Sequence, residues 1–191
     1  MRIVGGRLRG LKLADLGAGD ADAHLRPTSD RVREAMFNLL VNSLGIRLEG
    51  ARVLDLFAGT GALGLEALSR GAARVAFVDD GTAARALLRA NIEKARAMGV
   101  TDIWRRDATR LGPNRGAGYD LIFMDPPYGK TMGEAALASA QEGGWLAPDA
   151  LIIWEENTPP VLPEGFELLD QRRYGETIVT ILRPGTDRGG A

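Results

Sequence analysis

From residue 53 onward, short β-like runs alternate with helical ones. That alternation restricts the chain to a parallel sheet with helices on both faces. Strand candidates fall at 53–57, 74–78, 102–106, 120–124 and 150–154, and helices at about 62–70, 82–98 and 131–143. Gly71 and Gly99 sit where helix C-terminal caps are expected. Further on, Phe166–Tyr174 and Thr177–Leu182 are separated only by Gly175-Glu176. This is a hairpin signal, so an antiparallel strand is expected to close the sheet. Upstream, Ile3-Val4 and Leu11-Lys12-Leu13 flank Gly5, Gly6 and Gly10, which reads as a small hairpin or extended arm. Pro27-Thr28-Ser29-Asp30 supplies a helix start. Val32, Ala35, Met36, Leu39, Leu40 and Leu44 then follow at offsets 0, 3, 4, 7, 8 and 12, one helical face, and Gly45 can end the helix. The expected organisation is an arm over 1–28, an α/β domain over 29–185 whose first helix spans 30–44, and a frayed tail at 186–191.

A length of 191 residues suits one domain with a small appendage. No apolar run approaches the roughly 20 residues that span a bilayer. No signal core follows Met1-Arg2, and a cytoplasmic protein is the simplest reading. The chain has no cysteine, so disulfides and thiolate metal sites are excluded. Its single histidine, His24, lies in a polar loop, so histidine acid–base chemistry and a histidine metal site are not expected. The net charge of −1 is unevenly spread: residues 1–52 carry a net of +3 and the remainder −4. The first thirteen residues hold Arg2, Arg7, Arg9 and Lys12 and no acid. Such asymmetry suits an arm that contacts a polyanion or, equally, a solvated basic end.

Three motifs carry chemistry. Gly59-Thr60-Gly61-Ala62-Leu63-Gly64 matches G-x-G-x-x-G, a turn that lets a ligand approach the backbone at a helix N-terminus. Asp79 ends a strand candidate 20 residues beyond Gly59, where a carboxylate can accept from ribose hydroxyls. These two features suit a dinucleotide and S-adenosylmethionine alike. Asp55, inside the strand that feeds the turn, discriminates. It would repel a pyrophosphate, but it suits the ammonium and sulfonium of S-adenosylmethionine. Asp125-Pro126-Pro127-Tyr128 follows Leu121-Ile122-Phe123-Met124 and is the strongest signal. A nucleobase amine is a poor nucleophile because its lone pair is delocalised. A carboxylate and a backbone carbonyl can accept from its two N–H groups and aim the lone pair at a methyl donor. The prolines fix the backbone and present no competing N–H, and Tyr128 offers a flat face to a base. Asp107 could accept from the cofactor's adenine amine. Trp104, Trp145 and Trp154 read as core or strand residues. Arg105-Arg106 and Arg172-Arg173 read as solvated strand edges.

The sequence resembles the bacterial small-subunit (16S) ribosomal RNA guanine-N2 methyltransferases along nearly its whole length. The motifs are Arg2-Ile3-Val4-Gly5-Gly6 with Arg9-Gly10, Arg26-Pro27-Thr28-x-Asp30-Arg31-Val32-Arg33-Glu34 running on to Phe37-Asn38, Leu54-Asp55-Leu56-Phe57-Ala58-Gly59-Thr60-Gly61, Asp125-Pro126-Pro127-Tyr128 and Arg173-Tyr174-Gly175-Glu176-Thr177. Many aminomethyltransferases share the glycine turn and the Asp-Pro-Pro-Tyr. The two N-terminal motifs are more specific. The resemblance implies a Rossmann-like, seven-stranded S-adenosylmethionine-dependent sheet with an antiparallel final strand and an N-terminal β-hairpin extension. It implies methylation of one guanine amine in 16S rRNA within an assembled or assembling small subunit. The chain is further expected to be a monomer that needs no metal and no membrane. Asp125, Pro126, Pro127 and Tyr128 take the catalytic positions. Asp55, Phe57, Ala58, Gly59, Thr60, Gly61, Asp79, Asp80 and Asp107 are the cofactor candidates. Arg2, Arg7, Arg9, Lys12, Arg26 and Arg31 are the RNA candidates. One departure is visible: Gly81 stands where an acid is common in the family, and Asp80 could compensate. The alternatives are an adenine-N6 methyltransferase, an NAD-dependent oxidoreductase and a non-catalytic RNA-binding assembly factor.

Overall fold

The computed structural model describes residues 1–15 and 28–186. The expectations placed on His24, Arg26 and Pro27, and on the tail from residue 187, lie outside the described residues. Seven strands form one sheet: β1 (Arg52–Leu56), β2 (Arg74–Val78), β3 (Thr101–Trp104), β4 (Tyr119–Met124), β5 (Leu146–Glu156), β6 (Phe166–Tyr174) and β7 (Thr177–Pro184). Their order is β3-β2-β1-β4-β5-β7-β6. The pairs among β1 to β5 are parallel, and β7 runs antiparallel to both β5 and β6. The strand order reverses between β1 and β4, which opens a crevice outside their carboxyl ends.

The central strands are buried on both faces, as helix-covered parallel strands are. Alternate residues serve opposite layers. Val53, Val75, Phe77, Leu121 and Phe123 face a core shared with α1 (Asp30–Asn38), α2 (Ala62–Ser69) and α3 (Thr82–Lys94). Leu54, Leu56, Ala76, Val78, Ile122 and Met124 face a second core with Ala136, Leu137 and Ala140 of α4 (Met132–Glu142). Phe37 of α1 meets Phe123 of β4 with ring centroids 5.5 Å apart. Among the described residues, no helix is long and apolar enough to cross a membrane.

Several boundaries differ from the sequence reading, each for a local reason. The first helix is α-helical only to Asn38, then widens into a π turn over Leu39–Ser43 closed by Leu44 N–H donating to Leu39 O at 3.0 Å. Its start is as expected: the Ser29 side chain accepts from Val32 N. Gly71 does cap α2, at φ +110°, but Gly99 caps nothing. α3 stops at Lys94 because Arg96 adopts φ +52°, with Arg96 N–H bonded to Glu93 O and Ala97 N–H to Ile92 O. This is the paired closure of a helix end, here without glycine, fastened by buried Ala95 and Ala97. β5 is longer than the 150–154 run, starting at Leu146, and its pairing with β4 shifts register between Tyr119 and Leu121. Trp145 and Trp154 are core residues, whereas Trp104 is exposed at the end of β3.

The N-terminal hairpin is reduced to one antiparallel bridge, Arg2 to Lys12, with Ile3 N–H donating to Leu11 O. It is no free arm. Ile3 and Leu13 are buried. Val4 and Gly5 donate their N–H groups to the Glu66 carboxylate of α2 at 3.0 and 2.8 Å, and Leu8 N–H donates to Ser69 Oγ. Gly6 lies at φ +73°, and a Cβ there would sit 1.9 Å from Ser69 O, so no side chain fits. The fully buried Glu66 also accepts from Arg33 Nε at 3.3 Å and Arg70 Nε at 3.0 Å.

Removing one partner of a buried charge network strands the others and costs about 3–5 kcal/mol. Glu66→Ala is therefore expected to lower unfolding stability on that scale in urea titrations. Amide exchange at Val4 and Gly5 should accelerate well beyond that at the centre of β1. Exchange at Val4 and Gly5 indistinguishable from the parent would mean that Glu66 does not hold the segment.

Candidate active site at the carboxyl edge

β1 delivers Asp55 and then turns sharply. Phe57 takes φ +58°, rare for a side chain of its size, and Gly59 and Gly61 follow at φ +55° and +80°. Strain of this kind persists where surrounding structure over-determines the turn. Ala58 N–H donates to Val78 O, which ties the turn to the end of β2. Ala58, Gly59, Thr60 and Gly61 are buried, and α2 starts from Gly61. Asp55 is buried beneath the turn and accepts from Gly64 N–H at 3.0 Å. Burial above all, with the Asp125 and Asp79 carboxylates nearby, pushes its pKa well above the usual range.

Asp79, after β2, accepts from Gly59 N–H at 2.9 Å through one oxygen and from Gly81 N–H at 2.8 Å through the other. Each oxygen keeps a second lone pair for a hydroxyl. Gly81, the departure from the family pattern, thus gives Asp79 a backbone donor, while Asp80 is exposed. Asp107 lies beyond β3. Thr109 donates to it from both hydroxyl and N–H, and the side-chain bond chiefly holds its pKa below the usual value.

Asp125 leaves β4 with Pro126 buried and Pro127 and Tyr128 partly exposed. One cavity of about 370 Å³ gathers Phe57, Asp79, Asp80, Asp107, Asp125 and Pro127 on its walls. Asp55, the Ala58–Gly61 turn, Pro126 and Tyr128 stand outside that lining. Exposed Arg2, Arg7, Arg9, Lys12 and Arg31 are also outside it. The Arg7–Arg9 tip packs near Ser69, at the end of α2 remote from the glycine turn.

Residues that sequence reasoning did not single out complete the site. The register of β4 and β5 pairs Met124 with Trp154, so the next residues, Asp125 and Glu155, come side by side. The Thr28 hydroxyl lies 3.3 Å from Asp125 Oδ2, and 3.1 and 2.9 Å from the two Glu155 oxygens. Burial, first of all, raises the Glu155 pKa to about 7. Asp125 is also raised well above its ordinary value, by burial and by Glu155. Glu156 is raised too, chiefly by burial. The two glutamates directly after an apolar run were a readable signal. Arg106 corrects another expectation: it is not at a solvated strand edge but beyond β3, stacked 4.6 Å over Trp104, donating to Leu111 O and lining the cavity.

The residues fit S-adenosylmethionine. Burial first, and then the neighbouring carboxylates, raise the pKa of the acids along this edge, so a cation entering there is favoured. The flanking cavity has an acid free to meet hydroxyls, and the strained turn brings backbone close to it.

An acid raised in the native state keeps its proton where the unfolded chain has lost it. Native protein then binds more protons, and stability falls as pH rises from about 4.5 to about 7 through the Glu155 window. Glu155→Gln should flatten that fall in urea midpoints measured across the window. Parallel curves for the two proteins would place the linkage elsewhere.

The family model described as "Conserved hypothetical protein 95" matches residues 1–183. The chain is 36% identical over 179 residues to "Ribosomal RNA small subunit methyltransferase D" of Escherichia coli (strain K12), covering 92% of this chain and 86% of that one. It is 35% identical over 184 residues to the protein of the same description from Haemophilus influenzae, covering 92% and 89%. A solved structure described as "Putative methyltransferase yhhF from Escherichia coli" superposes with a TM-score of 0.81 at 34% identity, covering 97% of this chain and 98% of that one.

Proposed function

This chain belongs to the family described as conserved hypothetical protein 95, and we propose that it methylates the exocyclic N2 amine of a guanine in small-subunit ribosomal RNA. As a family member it is an S-adenosylmethionine-dependent rRNA methyltransferase. The finer reading names the target atom, 16S rRNA in an assembled or assembling subunit as the substrate, and a monomer working in the cytoplasm.

One observation carries it. Asp125-Pro126-Pro127-Tyr128 leaves β4 at the switch point, with Asp125 and Pro127 on the wall of the cavity that also holds Asp79. The cofactor, when bound, supplies an electrophilic methyl on a sulfonium. Asp79 would hold the ribose hydroxyls, with Asp55 and the 57–61 turn beside the cationic end and Asp107 beside the adenine amine. Asp125 and the Pro126 carbonyl accept from the two N2–H groups, and the Tyr128 ring stacks on the base. The work is positioning and charge placement. A base inside a helix cannot reach this crevice, so the target lies in a loop or is flipped out. The two N-terminal motifs favour guanine over adenine, because the resemblance to guanine-N2 enzymes rests on them.

Incubation of the protein with labelled S-adenosylmethionine and small subunits, naked rRNA or DNA tests this reading. Nucleoside digests should contain N2-methylguanosine. N6-methyladenine would overturn the guanine assignment. Asp125→Ala should slow single-turnover transfer by at least about 100-fold, the scale of losing one preorganised electrostatic group. Cofactor affinity should change little.

The basic segment is proposed as the RNA contact through Arg2, Arg7, Arg9 and Lys12, together with Arg26 and Arg31. Its tip stands a helix length away from the crevice, which suits a substrate with a broad footprint. Each phosphate neutralised contributes about −0.7 to −0.9 to the slope of log affinity against log salt. Changing Arg7 and Arg9 together to Ala should flatten that slope by up to about 1.5. Filter binding to subunits at several salt concentrations measures it, and an unaltered slope would remove the segment from the interface.

A further inference from the structure

Thr28 brings one hydroxyl hydrogen to three carboxylate oxygens on two acids. It can donate to only one of them. With both acids ionised, two negative charges would share one donor in a buried place, an arrangement that favours retaining one proton between them. Burial decides where that proton rests. Glu155 is 2% exposed, while Asp125 opens onto the cavity. Among the described residues, Arg33 is the one cation that bears on Glu155, and the other charged groups facing it are acids. Asp55 of β1, Asp125 beyond β4 and Glu156 of its own strand are all acids. On β7 its partner is Val179. Arg33 of α1 is already engaged by Glu66, Asp30 and the Arg2 carbonyl. Arg33 Nη1 also donates to the Thr28 carbonyl at 3.4 Å, which holds the threonine in place.

We propose that Thr28 and Glu155 are positioning residues for Asp125: the Glu155 carboxyl donates to the Thr28 hydroxyl, which donates to Asp125 Oδ2 and leaves the other Asp125 oxygen for the substrate amine. The chain has a direction. Asp125 stays the sole anion of the pair, and one of its oxygens is pinned. When Glu155 loses its proton, the hydroxyl turns towards Glu155 and Asp125 loses its donor. Burial raises both acids, Asp125 well above its ordinary value and Glu155 to about 7, so the pair gives up its shared proton above the ordinary carboxylate range. The proposal rests on the reading of Asp125 as the acceptor of the substrate amine.

Single-turnover methyl transfer to small subunits, followed across pH, tests it with Thr28→Val, Thr28→Ser and Glu155→Gln. Thr28→Val should lose at least about tenfold in rate, the scale of one hydrogen bond, with unchanged cofactor affinity. Thr28→Ser should recover to within about twofold of the parent. The parent rate should fall as pH rises through the Glu155 ionisation. Glu155→Gln still donates and cannot ionise, so its rate should stay level there. A Thr28→Val variant as fast as the parent, or a Glu155→Gln profile superimposable on the parent's, would overturn the assignment. Infrared difference spectra of the protein alone give a second readout that needs no RNA. A protonated-carboxyl band at neutral pH should be present in the parent and lost in Glu155→Gln, and identical spectra would overturn the proposal. Failure of the parent to methylate any substrate would instead overturn the functional reading, while the spectra still decide where the proton sits.

Discussion

Glu66 collects four donors into one buried carboxylate: two backbone N–H groups from Val4 and Gly5, and two guanidinium groups from Arg33 and Arg70. A charge buried so deeply is tolerable only when every lone pair is answered. Three of the donors come from outside α2, and the fourth, Arg70, caps the helix that carries Glu66. Val4 and Gly5 bring the N-terminal segment. Arg33 brings α1, and through its bond to the Thr28 carbonyl it brings the residue that touches Asp125 and Glu155. α2, which carries Glu66, begins at the glycine turn. The glycine turn, and through Thr28 the acids Asp125 and Glu155, are therefore referenced to a single short helix.

Charge is divided across the molecule more sharply than a net of −1 suggests. Asp55, Asp79, Asp125, Glu155 and Glu156 stand along the carboxyl edge, and the exposed cations of the N-terminal segment stand along α2. Such a division makes the N-terminal flank a more favourable neighbour for an anion than the crevice. A neutral base can enter where its own backbone cannot, and a cationic cofactor is favoured in the same place.

The alternation of runs from residue 53 made the parallel sheet legible, because strand and helix periods are set locally. Asp55, Asp79, Asp107 and Asp125 could be placed for the same reason: Asp55 lies one residue before the end of a strand and the other three follow strands, and parallel strands put those ends on one edge. The residues missed were those whose meaning depends on a distant partner. Arg33 sits among polar residues of an amphipathic helix and reads as solvated, yet it is buried because Glu66 lies opposite. Glu155 carries a local signal, an acid directly after an apolar run, but its partner Asp125 shows only once β5 is laid beside β4 in the observed register. The end of α3 was misplaced because Arg96 takes a conformation usually left to glycine. The N-terminal extension was read as a hairpin, but side chains and carbonyls of α2, more than cross-strand pairing, hold it.

The position of β7 has a consequence for how the molecule is made. β7 fills the gap between β5 and β6, yet it follows the other six strands in chain order. Ile178 to Leu182 are all buried there. Until that stretch has emerged from the ribosome, Ile152, Ile153 and Trp154 of β5 remain an unpaired apolar edge on a growing chain. Such an edge can recruit any passing strand. Completion of this sheet accordingly waits for the last of its strands in chain order. A chain halted before Thr177 would be left with an adhesive flank.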